Sequence, residues 1–179
     1  MGTPRSEAHV REVGACAVIR PIRAGDDAAM AEIVRTSLRA AGLDVPGTAY
    51  FDPELDRMSA HYGARPDRRR YLVACDPATG RVLGGAGVGE LEGAEGRAEL
   101  QKLYVAEGAR RRGLGGRLVR AVVRAARDLG YRELYLETHS SLAAAARLYE
   151  RLGFRQCGRS AATEHTAMDR FYLLDLFDL

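Results

Sequence analysis

The sequence predicts an α/β fold in which one mixed, twisted central sheet carries helices on both faces. In the first half, strand-like runs follow one another across short turns, which is typical of an antiparallel meander. In the second half, strand-like and helix-like segments alternate, which is typical of β-α-β units. A sheet with both kinds of connection is mixed. The 179 residues suffice for one domain. We place it at residues 17–179, behind a disordered N-terminal tail at residues 1–16.

The first predicted elements are a strand and two helices. The strand is the apolar run at residues 17–22. Asp26 is the expected N-cap of the first helix, and Gly42 ends it. One face of that helix is apolar, with Met30, Ile33, Val34, Leu38 and Ala41. The run Asp52-Pro53-Glu54 offers an N-cap, a proline and an acidic first turn for a second helix, which would bury Leu55, Met58 and Tyr62.

Strands dominate the middle of the chain. Residues 71–75 and 82–91 predict a hairpin around a turn at residues 76–80. The second of these strands contains Gly85-x-Gly87-x-Gly89, which has the glycine content of a nucleotide-binding loop. Because no helix follows it, we predict close backbone packing there instead. A further strand is expected at residues 98–105.

The remaining elements alternate between helix and strand: helix 114–129, strand 133–138, helix 142–152, a strand from Phe154 and a last strand at 170–176. In the long helix, Leu114, Leu118, Val122, Ala125 and Leu129 recur at helical spacing and should bury against the sheet. Its opposite face carries Arg117, Arg120, Arg124 and Arg127. We interpret this stripe as a solvated face, with an acidic partner as the alternative.

An arginine- and glycine-rich loop, Arg110 to Gly116, joins the strand at 98–105 to the long helix. The first turn of a helix has free N–H groups and a partial positive charge, and glycines let an anion approach the backbone. The loop therefore predicts a pyrophosphate site. It lacks the P-loop pattern and the GxGxxG spacing. It matches [Q/R]xxGx[G/A], with Arg110, Gly113 and Gly115 at the defined positions.

Together with its surroundings, this loop resembles the GNAT superfamily of N-acetyltransferases. Residues 99–105 resemble the superfamily's fourth strand, and Leu148-Tyr149-Glu150-Arg151-Leu152-Gly153-Phe154 is similar to its second signature, LYExxGF. The resemblance spans about residues 19–176. It implies the GNAT fold, splayed between the fourth and fifth strands. It also implies an enzyme that moves an acetyl group from acetyl-CoA to a primary amine of a small molecule or peptide by direct attack.

The resemblance also implies how acetyl-CoA is held. Its pantetheine arm would pair with backbone groups of Leu103, Tyr104 and Val105 as an added strand does, and an N–H near Leu103 would polarise the thioester carbonyl. The superfamily often has asparagine eight residues before the signature tyrosine. Ser141 stands there in this chain, which leaves a pantetheine-side hydrogen bond open. The pyrophosphate would lie on the N–H groups of Arg110, Arg111, Arg112, Gly113, Leu114, Gly115 and Gly116.

Two residues are candidates for acid-base catalysis. Strand alternation would place Glu99 on the same face as Gln101, Leu103 and Val105, beside the reacting centre. A partly desolvated carboxylate has a raised pKa and suits general-base work, and some superfamily members carry a catalytic glutamate there. The alternative is a structural strand-end carboxylate. Tyr149, the signature tyrosine, is the candidate acid for the coenzyme sulfur; the alternative is a core tyrosine.

The acceptor site is the least specified part of the prediction. Residues 43–56 lie between the first two helices, a region that GNAT acceptor pockets commonly use. Tyr50 from this loop, with His165 and Asp169 from the C-terminal tail, are the candidate acceptor contacts. The alternative for Tyr50 is packing of the second helix. Ser140 and Ser141 beside His139 lack a nucleophile-elbow motif, so helix capping is expected of a serine there.

Composition excludes several other classes. The net charge of +3 does not imply non-specific nucleic-acid binding. No apolar run reaches the length of a membrane span, and no signal peptide is recognisable. The three cysteines and four histidines show no metal-ligand spacing, so no metal is expected. The high content of alanine, arginine and glycine is typical of a bacterial protein, and an odd number of cysteines without a CxxC pair fits reduced thiols in the cytoplasm.

Two competing hypotheses remain for the function. One is a non-catalytic acyl-CoA-binding regulatory module that kept the fold. The other is a nucleic-acid-binding domain that uses Arg68 to Arg70, Arg110 to Arg112 and the arginine stripe of the long helix. The near-balanced charge and the lack of a DNA-reading motif argue against it. The sequence does not define the oligomeric state, and a homodimer is left open.

Overall fold

The computed structural model describes residues 17–161 and 165–178, so the predicted tail at residues 1–16 lies outside the described residues. The described strands are β1 Val18–Pro21, β2 Arg70–Cys75, β3 Val82–Glu90, β4 Arg97–Val105, β5 Glu133–Thr138, β6 Arg155–Gln156 and β7 Arg170–Asp175. The described α-helices are α1 Asp27–Ala40, α2 Met58–Gly63, α3 Leu114–Asp128 and α4 Ala143–Arg151. Most predicted elements are confirmed to within one or two residues. The second helix is shorter than expected, because a 3₁₀ turn at Leu55–Arg57 precedes it.

The seven strands form one mixed sheet in the order β1-β2-β3-β4-β5-β7-β6. The pairing of β4 with β5 is parallel, and the other pairings are antiparallel. The parallel pairing joins Arg97 with Glu133, Ala98 with Leu134 and Glu99 with Tyr135. Beyond Glu99 the two strands have no paired residues in the described part of the chain. The central sheet is therefore open between its fourth and fifth strands, as expected.

Helices cover both faces of the sheet, each over its own apolar cluster. α3 covers the first cluster, and its residues Leu114, Leu118, Val122 and Ala125 are buried as predicted. The arginine stripe on the other side of α3 is largely solvated, although Arg117 and Arg127 donate hydrogen bonds to backbone carbonyls of other segments. α1 and α2 cover the second cluster, which includes Met30, Met58, Tyr62 and Tyr71. No helix in the described ranges has the length and apolar character needed to cross a bilayer.

The glycines of β3 make room for aromatic rings. A Cβ built on Gly85 would lie 2.6 Å from Cε1 of Tyr71, and a Cβ on Gly87 would lie 2.8 Å from the hydroxyl of Tyr62. Both distances are too short for real atoms. The prediction of close packing at these glycines is confirmed.

A β-bulge interrupts β4 at Lys102. Gly85 pairs with Tyr104 and Gly87 pairs with Gln101, so β4 has one residue more than β3 in this interval. Lys102 absorbs the extra residue with a left-handed φ of 48°. The bulge reverses the alternation of side chains: Leu103 and Val105 pack on the α3 side, whereas Tyr104 packs on the α1 side. The expectation that Glu99 and Gln101 share a face with Leu103 and Val105 is therefore wrong.

Two predicted helix caps are wrong, and a third is confirmed in position only. Asp26 is the N-cap residue of α1, as predicted, but its carboxylate makes no hydrogen bond to that helix and accepts from Arg20 and from the N–H of Arg23 instead. Asp52 does not cap α2, whose N-cap is Arg57. No serine caps α4, because its N-cap is Leu142. These polar side chains near helix starts form hydrogen bonds or ion pairs with residues outside those helices.

Candidate functional site

The opening between β4 and β5 is a narrow slot lined from three sides. β4 contributes residues 99–104, β5 contributes Glu137 and Thr138, and α4 contributes Ala145 and Tyr149. His165, from the segment before β7, also lines it. Since each strand alternates the direction of its N–H and C=O groups, part of the β4 backbone beyond Glu99 faces this opening. An extended ligand could pair with β4 there.

The loop before α3 leaves backbone N–H groups available at one end of the slot. The first hydrogen bond of α3 runs from the Arg117 N–H to the Gly113 carbonyl, at 3.1 Å. The N–H groups of the preceding turn therefore lie outside the helical ladder. Gly113 has a φ of 74°, a left-handed conformation that favours glycine. A Cβ on Gly115 would lie 3.3 Å from a methyl group of Leu148. These residues fit a pyrophosphate on a helix N-terminus.

The three arginines of this loop differ in their surroundings. Arg110 donates hydrogen bonds to the Val105 carbonyl and to the Ser37 hydroxyl, both at 2.9 Å. Its side chain therefore braces the loop against β4 and α1. Arg111 is exposed, and Arg112 is half-buried. The resemblance had implied the Val105 backbone for pantetheine pairing, but the carbonyl of that residue is already engaged.

Glu99 lies at the last paired position of β4 and is held by a chain of hydrogen bonds. The Gln101 amide donates to the Glu99 carboxylate at 2.8 Å, and the Tyr62 hydroxyl donates to the Gln101 carbonyl oxygen at 2.7 Å. Burial raises the pKa of the Glu99 carboxyl. The residue therefore has a fixed orientation and an increased affinity for a proton.

Two further titratable groups lie beside Glu99. Oxygen or nitrogen atoms of Glu99, Glu137 and His165 all lie within 4.8 Å of one another. These are donor types that bind metals, but each side chain also has a hydrogen-bond partner in the protein: Gln101, Tyr135 and Asp52, respectively. The hydrogen bond with Asp52 raises the pKa of His165. The three groups form a site that can accept and pass on protons.

Lys102 forms a buried ion cluster next to this site. Its ammonium lies 2.6 Å from Asp52 and 2.7 Å from Glu54, and only 4% of its side chain is exposed. Burial alone would lower the pKa of Lys102, but the two carboxylates outweigh that effect and raise the pKa to about 12. Asp52 also lies 3.3 Å from His165. The cluster thus ties residues 52–54 to the bulge of β4 and to the imidazole.

Tyr149 belongs both to the core and to the slot. Its ring lies 5.7 Å from Phe154 and 6.1 Å from Tyr172, and burial raises the pKa of its hydroxyl. The same side chain lines the opening between β4 and β5. The two interpretations from the sequence are therefore compatible, since a packed ring would hold the hydroxyl in place at the slot.

A second cavity, which we call the acceptor cleft, adjoins the slot. It has a volume of about 290 Å³ and shares Glu99, Gln101, Lys102 and His165 with the slot. Its other polar walls are Asp52, Glu54, His61, Arg69, Glu90 and Glu92. A group in the acceptor cleft would reach the slot past Glu99 and His165.

Three predicted residues do not line the slot or the acceptor cleft. Tyr50 is half-buried, and its hydroxyl accepts a hydrogen bond from Arg39 at 2.9 Å. Asp169 is exposed and accepts hydrogen bonds from the backbone and side chain of Ser140. Ser141 is exposed, with its hydroxyl 2.8 Å from His139. Of the predicted acceptor contacts, His165 alone lines both cavities.

Several polar residues of the site were not predicted from the sequence. Asp52 and Glu54 resembled a helix start, which is an equally good local explanation of acidic residues beside a proline. Glu137 has the sequence context of an ordinary strand residue. For Gln101, the sequence predicted only which face of β4 the side chain would occupy. Lys102 was the one available signal, because it is the single lysine among 27 basic residues.

The sequence matches the model of the Acetyltransferase (GNAT) family over residues 31–154. It is 34% identical over 139 residues to YjgM, an uncharacterized N-acetyltransferase of Escherichia coli, with 76% of this chain and 81% of that protein covered. It is 38% identical over 143 residues to an L-methionine sulfoximine/L-methionine sulfone acetyltransferase of Pseudomonas aeruginosa, with 69% and 82% covered.

Solved structures of acetyltransferases have a similar fold. The acetyltransferase yncA of Salmonella typhimurium, determined with acetyl-CoA, aligns with a TM-score of 0.68 and 26% identity, covering 89% of this chain and 94% of that chain. A GNAT-family acetyltransferase of Staphylococcus aureus aligns with a TM-score of 0.78 at 18% identity, covering 90% and 99%. The second similarity concerns the fold alone.

Proposed function

The chain belongs to the GNAT family and is an acetyl-CoA-dependent N-acetyltransferase, and on that premise we propose that it acetylates the primary amine of a small molecule or peptide by direct attack. The observation that carries this proposal is the position of Glu99. This half-buried carboxylate lies where the pairing of β4 and β5 ends, and it lines both the slot and the acceptor cleft. A donor in the slot and an amine in the acceptor cleft would meet beside it.

The chain's own residues would hold acetyl-CoA at two places. The N–H groups of the loop from Arg111 to Gly116 would bind its pyrophosphate, and the β4 backbone from Leu103 onward would pair with its pantetheine arm. When bound, the coenzyme supplies an activated acetyl group as a thioester. The coenzyme residues of the proposal are thus mostly backbone groups.

Glu99 would act as the general base. The acceptor nitrogen forms a bond to the acetyl carbon while the carbon–sulfur bond breaks, and the nitrogen must lose a proton. Glu99 can take that proton because burial has raised the pKa of its carboxyl. His165, within 4.8 Å of Glu99, can carry the proton onward to the acceptor cleft. Gln101 keeps the carboxylate oriented.

Tyr149 would protonate the departing sulfur. A thiol has an ordinary pKa of about 8.5, so its thiolate is already a fair leaving group and the help from Tyr149 should be moderate. We expect Tyr149→Phe to lower turnover by roughly 10²-fold or less and to leave coenzyme affinity nearly unchanged. Steady-state kinetics and calorimetric titration with CoA measure these two quantities.

The test of the proposal is a panel of amines and peptides with acetyl-CoA, followed by thiol release and by mass spectrometry of the N-acetyl product. We expect turnover with at least one amine, with a rate that falls as pH decreases through the raised pKa of Glu99. Glu99→Gln should abolish that acidic limb, whereas Glu107→Gln, at an exposed position in the turn after β4, should retain it. CoA binding without turnover of any amine would instead support a non-catalytic acyl-CoA-binding module.

A further inference from the structure

The basic side chains of the acceptor cleft are all engaged by other groups of the protein. Lys102 contacts both Asp52 and Glu54, and Arg69 forms two hydrogen bonds with Glu90, at 2.7 and 2.9 Å. His165 contacts Asp52. A ligand carboxylate entering the acceptor cleft would therefore compete with a protein carboxylate for each of these cations.

His61, the remaining basic residue of the acceptor cleft, is unsuited to bind an anion. Burial lowers the pKa of its imidazole, which favours the neutral form at neutral pH. Its Nε2 lies 3.0 Å from the Arg69 guanidinium, which can only donate. His61 is thus the acceptor in this contact and adds no positive charge.

Carboxylates outnumber cations around the acceptor cleft. Five line it, namely Asp52, Glu54, Glu90, Glu92 and Glu99, against the permanent charges of Lys102 and Arg69 and the titratable His165. Arg65, just outside the lining, also contacts Glu90. Glu92 is exposed and lies in the turn between β3 and β4. Glu137 adds another carboxylate on the side of the slot. A second positive charge on the acceptor would be attracted to this surface.

Resting on the proposed acetyl transfer, we propose that the acceptor cleft selects a small amine that carries a second positive charge and no carboxylate. One amine reacts beside Glu99, and the second cation lies near two carboxylates of the acceptor cleft, which we call the outer carboxylates: Glu54, which also contacts Lys102, and the exposed Glu92. The volume of about 290 Å³ is in the range of sites for small molecules. The proposal separates this chain from its relative in Pseudomonas aeruginosa, whose named substrates are amino-acid derivatives.

Three probes of similar length test the charge preference. They are 1,5-diaminopentane, n-hexylamine and 5-aminopentanoate, which differ in carrying a cation, a methyl group or a carboxylate at the far end. L-methionine sulfone and a lysine-containing peptide are added for comparison. We expect kcat/KM to be highest for 1,5-diaminopentane, lower for n-hexylamine and lowest for 5-aminopentanoate. The values for the diamine and for 5-aminopentanoate should differ at least tenfold, or by about 1.4 kcal/mol. The difference should shrink as salt increases.

Two variants test whether the outer carboxylates cause the preference. Glu54→Gln and Glu92→Gln should each narrow the ratio of kcat/KM between 1,5-diaminopentane and n-hexylamine several-fold. Glu95→Gln, which removes an exposed charge three residues from Glu92 but outside the acceptor cleft, should leave the ratio unchanged. Melting temperatures identify a variant that fails to fold. If Glu54→Gln fails to fold, Glu92→Gln still tests the proposal, because Glu92 is exposed.

The outcomes separate this inference from the function on which it rests. Preference for 5-aminopentanoate, L-methionine sulfone or the peptide, with the diamine poorest, would overturn the inference and leave acetyl transfer to amines intact. An unchanged ratio in folded Glu92→Gln and Glu54→Gln would also overturn it. Turnover of no amine at all, despite CoA binding, would overturn both.

Discussion

The two ends of the site are built in different ways. The end that we propose for the pyrophosphate offers backbone N–H groups from six consecutive residues, Arg111 to Gly116, placed by the start of α3 and the left-handed Gly113. The end that we propose for the amine consists of side chains from separate segments, namely Asp52 and Glu54, β4, and His165, and ion pairs hold them together. Backbone geometry tolerates changes of side chain that an ion cluster does not. We therefore expect substitutions at the two ends to differ in kind.

The largest effect is expected at Lys102. Lys102→Met would leave Asp52 and Glu54 without their buried cation, and breaking a buried ion pair typically costs about 3–5 kcal/mol of stability. Urea unfolding measures this loss. The matched control is Arg97→Met, which breaks the more exposed pair with Glu133 and should cost about 1 kcal/mol or less. Equal losses in the two variants would contradict the structural role of the Lys102 cluster.

A smaller effect, on the affinity for CoA alone, is expected at the pyrophosphate end. Valine at Gly113 would be strained by the positive φ, and valine at Gly115 would press on Leu148. Gly113→Val combined with Gly115→Val should weaken CoA binding at least tenfold, or about 1.4 kcal/mol, as measured by calorimetry. Gly108→Ala, at an open position without a positive φ, is the control. Unchanged CoA affinity in a folded double variant would remove the loop from the site.

A pH-dependent effect is expected at the junction of the two ends. The pKa of His165 is raised above 6.5 in the folded protein, so its pairing with Asp52 contributes fully below that pH and is lost as pH rises through the folded pKa. The free energy of unfolding should therefore fall by roughly 1 kcal/mol or less between pH 6 and pH 8.5. His165→Gln should abolish this component, and His139→Gln should retain it. A steeper fall in His165→Gln than in the parent would reverse the assignment.

The smallest catalytic effect is expected at Tyr50. Because its hydroxyl faces Arg39 and its ring lies outside both cavities, Tyr50→Ala should leave the acceptor KM unchanged. Its stability cost should be below the about 3–5 kcal/mol typical of a fully buried aromatic residue, since the side chain is half-buried. Acceptor kinetics and thermal unfolding distinguish the two quantities. A raised KM with an unchanged melting temperature would restore Tyr50 as an acceptor contact.

The same contrast explains how much of the molecule could be predicted. The sheet, the long helix and the loop with Gly113 and Gly115 follow from periodicity and from residues adjacent in the chain. The Lys102 cluster could not be predicted in this way, because Asp52 lies 50 positions before Lys102 and its acidic side chain fits a helix cap equally well. The β4 bulge depends on pairing with β3, so it has no local pattern, and the side-chain faces beyond it were assigned wrongly.

The burial of Lys102 also affects how readily the protein itself can be acetylated. Activated thioesters also acetylate exposed lysine side chains without catalysis. An enzyme whose substrate is such a thioester is continually exposed to this reaction. This chain has one lysine, and its amine is buried and held in the charged, non-nucleophilic form by a pKa of about 12. The remaining basic side chains are arginines and histidines. Within the described chain the protein therefore presents no competing ε-amine to its own acetyl donor.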